Sequence, residues 1–179
     1  RVRQVEERPT EGAAFSATRD KKEHTDFTVT PVPRGRELTG PGAADPISGS
    51  LGSLTFDDVG KAGAAATPKA AHALFRTFDG LEVDVAGRKD GTRSLVTLSA
   101  RATAKQTEAE AQKLNARLGG WEFEIHDYKY AAIFRPLEDL LKKPPEPVRK
   151  TTEATAPGKA GAPGTDSSPD DASAPDTPK

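Results

Sequence analysis

Residues 81–100 read Leu81-Glu-Val-Asp-Val-Ala-Gly-Arg-Lys-Asp-Gly-Thr-Arg-Ser-Leu-Val-Thr-Leu-Ser-Ala100. Leu81, Val83 and Val85 alternate with Glu82, Asp84 and Ala86, the period of two that turns one side of a strand to a core and the other to water. The Asp90-Gly91 pair then marks a tight turn, because Asp and Gly tolerate the positive φ that hairpin loops require. Residues 94–100 return as the partner strand. An antiparallel hairpin therefore lies near the middle of the chain.

Working outward, residues 73–78 predict a strand closed by an Asp79-Gly80 turn. Residues 107–118 predict the best helix, with Ala111, Leu114 and Leu118 as its apolar stripe and Gly119-Gly120 as its stop. Trp121, Phe123 and Ile125 alternate with Glu122, Glu124 and His126, so a strand with Trp121 on its buried face is expected. Residues 128–141 are helical in character, with Ile133, Leu137, Leu140 and Leu141 on one side. Pro136 must kink that helix or begin a second one, since its ring clashes with the preceding turn. Towards the N-terminus, short strands are expected over 1–7, 14–19 and 26–32, although Val2 and Val5 do not alternate strictly. Asp45 reads as an N-cap with Pro46 at the first helical position, ahead of Ile47, Leu51 and Leu54. Residues 54–59 follow as an extended segment. The fold class expected is α+β, mainly antiparallel strands with two or three amphipathic helices, followed by a disordered C-terminal tail.

The tail is a matter of composition. Residues 144–179 hold eight of the fifteen prolines, and no aromatic lies beyond Phe134. Such a segment cannot bury enough apolar surface to offset about 1–2 kcal/mol per residue of backbone ordering. The Pro-Pro-Glu-Pro run at 144–147 lacks the flanking arginine pattern of a proline-groove ligand. The division expected is a strand-rich unit over 1–60 ending in a helix and short strand, and a linker over 61–72 on small residues and Pro68. A hairpin-helix-strand-helix unit over 73–143 packs with the first unit as one domain, and the tail covers 144–179. The 26 Lys and Arg balance 27 Asp and Glu to a net charge of −1 over 179 residues, which argues against a nucleic-acid binder. No stretch approaches the ~18 apolar residues of a membrane span, so the chain is expected to be soluble. Zero Cys excludes disulfides, thiolate metal sites and cysteine nucleophiles. Zero Met, including at position 1, predicts a fragment or a processed product.

Chemistry is sparse. His24, His72 and His126 are far apart in sequence, and none has metal-ligand spacing to another imidazole or carboxylate. Asp57, Asp58 and Asp79 lack the loop pattern of a calcium site. The run Gly40-Pro-Gly-Ala-Ala-Asp45 lacks the strand and third glycine of a dinucleotide loop. No nucleophile-elbow or zinc-protease motif appears, so neither cofactor nor metal is expected. A hydrolase would need its histidines brought within reach of carboxylates by the fold. The aromatic cluster of Trp121, Phe123, Tyr128, Tyr130 and Phe134 reads first as core. Tyr128 and Tyr130, two apart on a helix, diverge by about 200°, so at least one must point away from the core.

Three stretches carry a resemblance. They are Phe75-Arg-Thr-Phe-Asp-Gly-Leu-Glu-Val-Asp-Val, Leu114-Asn-Ala-Arg-Leu-Gly-Gly-Trp-Glu-Phe-Glu-Ile, and Tyr128-Lys-Tyr with Leu137-Glu-Asp-Leu-Leu. Together with the 26–59 region they resemble the bacterial domain-of-unknown-function 4340 family in order and spacing, over roughly residues 1–143. The resemblance implies an N-terminal membrane anchor absent from this chain and an extracytoplasmic α+β region at the periplasmic face of the cytoplasmic membrane. It also implies partners among the membrane components of gliding-motility-type ABC transporters. It carries over no catalytic or ligand residue. The function expected is a non-enzymatic accessory domain of such a transport system; the alternative is a binding module for an envelope polymer or small ligand. Tyr128, Tyr130 and Arg135 are the candidate partner interface, because Tyr and Arg most often anchor interfaces.

Overall fold

A computed structural model describes residues 1–63 and 70–143. The expectations for 144–179, and the centre of the expected linker, lie outside the described residues. The hairpin stands where its alternation puts it: β6 (Leu81–Asp90) pairs antiparallel with β7 (Arg93–Ala102), from Leu81 opposite Ala102 to Asp90 opposite Arg93. The loop is Gly91-Thr92, one residue later than the Asp-Gly pair, with Gly91 at φ +59°. Glycine is the residue that holds this φ without strain.

Around the hairpin stand β1 (Val2–Arg8), β2 (Phe15–Thr18), β3 (Thr28–Thr30), β4 (Asp58–Lys61), β5 (Ala71–Thr77) and β8 (Trp121–Ile125). All eight strands form one antiparallel sheet in the order β3-β2-β1-β5-β6-β7-β8-β4. The helices are α1 (Asp45–Gly49), α2 (Glu108–Leu118) and α3 (Asp127–Ile133), with single 3-10 turns at Ser50–Ser53, Lys105–Thr107 and Leu137–Leu140. The fold is α+β and rich in sheet. The expected linker is shorter than its composition indicates: Lys61 ends β4 and Ala71 begins β5, because backbone pairing with β8 and β6 draws both ends into strands.

The two edges of the sheet are β3 and β4, which are neighbours in sequence. Residues 31–57 therefore cross from one edge to the other, and they do so over the apolar face, where α1 buries Ile47. Leu38 and Thr39 pair with Leu141 and Leu140 of the C-terminal segment, which fixes the crossing in place. Val5, Ala17, Val29, Ala73, Phe75, Val85, Val96, Phe123 and Ile125 line this inner face. Ile133, Phe134, Leu137 and Leu140 pack onto it.

Several expectations need correction. Asp45 is not the N-cap; Ala44 is, and the Asp45 carboxylate instead accepts the Phe27 N–H at 3.1 Å, tying the entry of β3 to α1. Pro136, by contrast, begins a second short helix, one of the two expected outcomes, and Leu137, Leu140 and Leu141 reach the core from that separate 3-10 turn. The irregular spacing of Val2 and Val5 reflects a register shift between Val2 and Gln4. Trp121 is 41% exposed rather than buried, because β8 is followed outward only by β4 and the crossing segment does not cover that end.

The outer face carries cross-strand ion pairs. Arg76 binds Glu6 and Glu82, and Arg88 grips Glu122 through two contacts of 2.8 Å. Pairs of this kind contribute about 0.2–1 kcal/mol each and fix register more than they stabilise.

Candidate functional site at the open edge

Helix α2 sets the geometry of the open edge. The pairing of β7 with β8 covers Ser94 to Val96 only, which leaves the rest of that side of β7 without a strand. Asn115 supplies the missing partner for Ala100. Its Oδ1 accepts the Ala100 N–H at 2.7 Å and its Nδ2 donates to the Ala100 carbonyl at 2.7 Å. Gly119-Gly120 then turns the chain into β8, whose Phe123 and Ile125 point inward.

Beyond β8 the sheet thins to β4, all of whose residues are exposed. Val59 stands opposite Phe123, and Lys61 opposite Trp121. Just before the strand, Phe56 stacks on Phe123 with ring centroids 4.3 Å apart. Ala62 N–H donates to the Gly120 carbonyl, so by antiparallel alternation the Val59 amide faces away from β8. That amide donates to Asp58 Oδ1 at 2.8 Å. A self-capped amide flanked by Asp58 and Lys61 blunts this edge against strand addition.

The edge continues into α3. His126 Nε2 lies 3.1 Å from Asp57 Oδ1, and its ring stacks against Tyr128 at 5.6 Å between centroids. Arg93 joins Glu124 at 2.6 Å and reaches Asp58 at 3.7 Å. Among the described residues five large apolar side chains are exposed, and four of them, Phe56, Val59, Trp121 and Tyr128, lie along this edge.

The three expected interface residues separate. Tyr128 is 65% exposed. Tyr130 is half-buried and packs on Phe134, with centroids 4.6 Å apart. Both rings lie over Gly87, where a Cβ would come within 2.8 Å of the Tyr130 ring and closer still to Phe134. Burial, and then the Asp127 carboxylate, push the Tyr130 hydroxyl above its ordinary pKa. Lys89 lies over the Tyr130 ring and binds Asp127, whose carboxyl it holds low with help from Ser94 Oγ at 2.7 Å. Arg135 is half-buried, with no hydrogen bond or ion pair among the described residues.

Two histidines do meet carboxylates. Besides His126 with Asp57, His72 Nδ1 lies 3.5 Å from Asp84 on the outer face. Ser99 is the cross-strand partner of Asp84 on the side away from His72. The carboxylate thus stands between hydroxyl and imidazole, the reverse of the order in which an imidazole activates a serine. Glu6, Arg8, Glu82 and Arg101 surround this pair in a shallow trough of about 430 Å³. No group of three or more His, Asp or Glu side chains among the described residues is placed to hold a metal ion.

Sequence reasoning missed two features. Asp57 meets His126 because β4 docks on β8, a long-range pairing with no local signature. Glu7 is 1% exposed, sits between Phe15 and Ala73 in register, and has no hydrogen-bond partner among the described residues for either carboxylate oxygen. Burial pushes its carboxyl up to about 9. The only signal was the alternation that turns Glu6 outward and Glu7 inward. No helix among the described residues is long and apolar enough to cross a membrane. No family model, curated protein or solved structure matches the chain.

Proposed function

We propose that this chain is a non-enzymatic extracytoplasmic accessory domain of an ABC-type transport system, membrane-tethered in the full-length protein. The β4–β8 edge is the surface it offers to a membrane component of the transporter. The observation that carries the partner-binding part is the gathering of Phe56, Val59, Trp121 and Tyr128 on one edge whose strand is blunted against its own kind. Exposed aromatic anchors set among charged neighbours are what protein interfaces use. Arg135, on the same helix–turn corner and without a hydrogen bond or ion pair among the described residues, adds a planar donor for a partner carboxylate. The transporter context is supported by the resemblance of the 75–85, 114–125 and 128–141 stretches alone.

The experiment is co-purification of the tethered protein with the transporter permease. The wild-type chain is expected to retain the permease, and a Trp121→Ser, Tyr128→Ser variant to release it. A monodisperse protein free of transporter subunits would count against the reading. The alternative, a binding module for an envelope polymer or small ligand, is favoured by a second feature of the inner face: a groove of about 450 Å³ alongside α2.

A further inference from the structure

The groove beside α2 has a composition unlike the rest of the surface. Leu114 and Leu118 of α2 form one wall, Leu54 and Phe56 form the other, and Val83 and Leu98 of the hairpin make the floor. Asn115 is committed to the Ala100 backbone and offers a ligand little. Arg117 is the only charged residue in the lining. It is exposed and has no hydrogen bond or ion pair among the described residues.

The geometry points to this groove as the binding site of a single-chain anionic amphiphile, a free long-chain carboxylate, with its chain along the leucine walls and its headgroup on Arg117. The inference rests on the small-ligand reading and not on the transporter reading. Size and charge both select this ligand. A space of about 450 Å³ falls in the range of small-molecule sites. A partner helix, about 10–12 Å across with its side chains, needs a wider and longer bed. The lining is mainly apolar, with Ser99 and the backbone-bound Asn115 as its neutral polar residues and one guanidinium unpaired among the described residues. It complements a ligand with one anionic end and a long apolar chain, and a guanidinium holds a carboxylate through two parallel hydrogen bonds. A neutral glycan would leave the leucine walls facing hydroxyls they cannot satisfy. Arg117 also stands in the last turn of α2, where a cation complements the helix dipole, and the test separates that role from ligand binding.

The test titrates the full chain with laurate below its critical micelle concentration, read by calorimetry and by amide chemical-shift changes. One-to-one saturable binding is expected, with shifts confined to residues around Leu54, Leu114 and Leu118. Arg117→Gln should weaken laurate by about tenfold or more, and dodecanol should bind the wild-type chain no better than laurate binds that variant. Leu114→Asp, on the half-exposed side of α2, should abolish binding while leaving the amide spectrum of the sheet unchanged. Absence of saturable binding, equal laurate affinity with and without Arg117, or shifts on the outer face would overturn the proposal. So would binding to anionic vesicles, or to an acidic amphipathic peptide, without binding to laurate. A neutral glycan that raises the melting temperature where laurate fails would overturn it too, while sparing the small-ligand reading.

Discussion

The two ends of the inner face break the ordinary rule of burial in opposite directions. At the sealed end, the β3-β2-β1-β5 half of the sheet beneath the 31–57 crossing, the face is closed so well that it encloses Glu7, a carboxyl with no hydrogen-bond partner among the described residues. At the β8–β4 end the same face runs out from under its cover and leaves Phe56, Val59 and Trp121 in water. Strand alternation is the same at both ends, so what decides burial is the reach of the covering segment. The sealed end tolerates a costly group because its neighbours gain from packing. The open end exposes apolar surface without gain to the isolated domain, and exposed patches of this kind mark interaction sites.

The largest effect expected from breaking the comparison lies at the sealed end. Phe75, 2% exposed, should cost about 3–5 kcal/mol as Phe75→Ala, whereas Trp121→Ala should cost under about 1 kcal/mol. Denaturant unfolding of the two variants checks the pair, and similar losses would mean the open end is part of the core.

Glu7 sharpens the sealed end through pH. Its folded pKa of about 9 lies above its ordinary 4.5, so the native state holds a proton that the unfolded chain releases. The chain should therefore be most stable below pH ~4.5 with respect to this group, and lose up to ~1.4 kcal/mol per unit as pH rises towards 9. Glu7→Leu should remove that slope and stabilise the domain by about 3 kcal/mol at pH 7. Urea midpoints measured from pH 5 to 9 decide it; a wild-type slope retained in the variant would place the titration elsewhere.

Smaller effects test how the open end is built. Asn115→Ala removes both hydrogen bonds to Ala100 and should cost about 1–2 kcal/mol, with faster exchange of the Ala100 amide near the end of β7. The double substitution Tyr128→Ala and Arg135→Ala should leave the melting temperature within a degree or two while weakening permease association. A lowered melting temperature with unchanged association would make both residues structural.

The sequence carries the local parts of this comparison and not the long-range ones. Alternation over 81–100 and 121–125 locates three strands, and the Ala111, Leu114, Leu118 stripe locates α2. Strand order is another matter. Nothing near Asp58 shows that it will pair with Glu124 at the far edge, so the exposure of Trp121 and the meeting of Asp57 with His126 were illegible. Tyr128 and Tyr130 were legible as a diverging pair, because helical geometry alone separates them. Which of the two packs inward depends on Gly87, a residue on another strand.

Trp121 is the only tryptophan, so its fluorescence reports directly on whether the open end is a surface waiting to be covered. In the free protein the indole should emit as a solvated ring and be quenched readily by iodide. Adding the detergent-solubilised transporter component should shift the emission to shorter wavelength and protect it from quenching. An indole already shielded in the free protein, or one unchanged at saturating partner, would contradict the account.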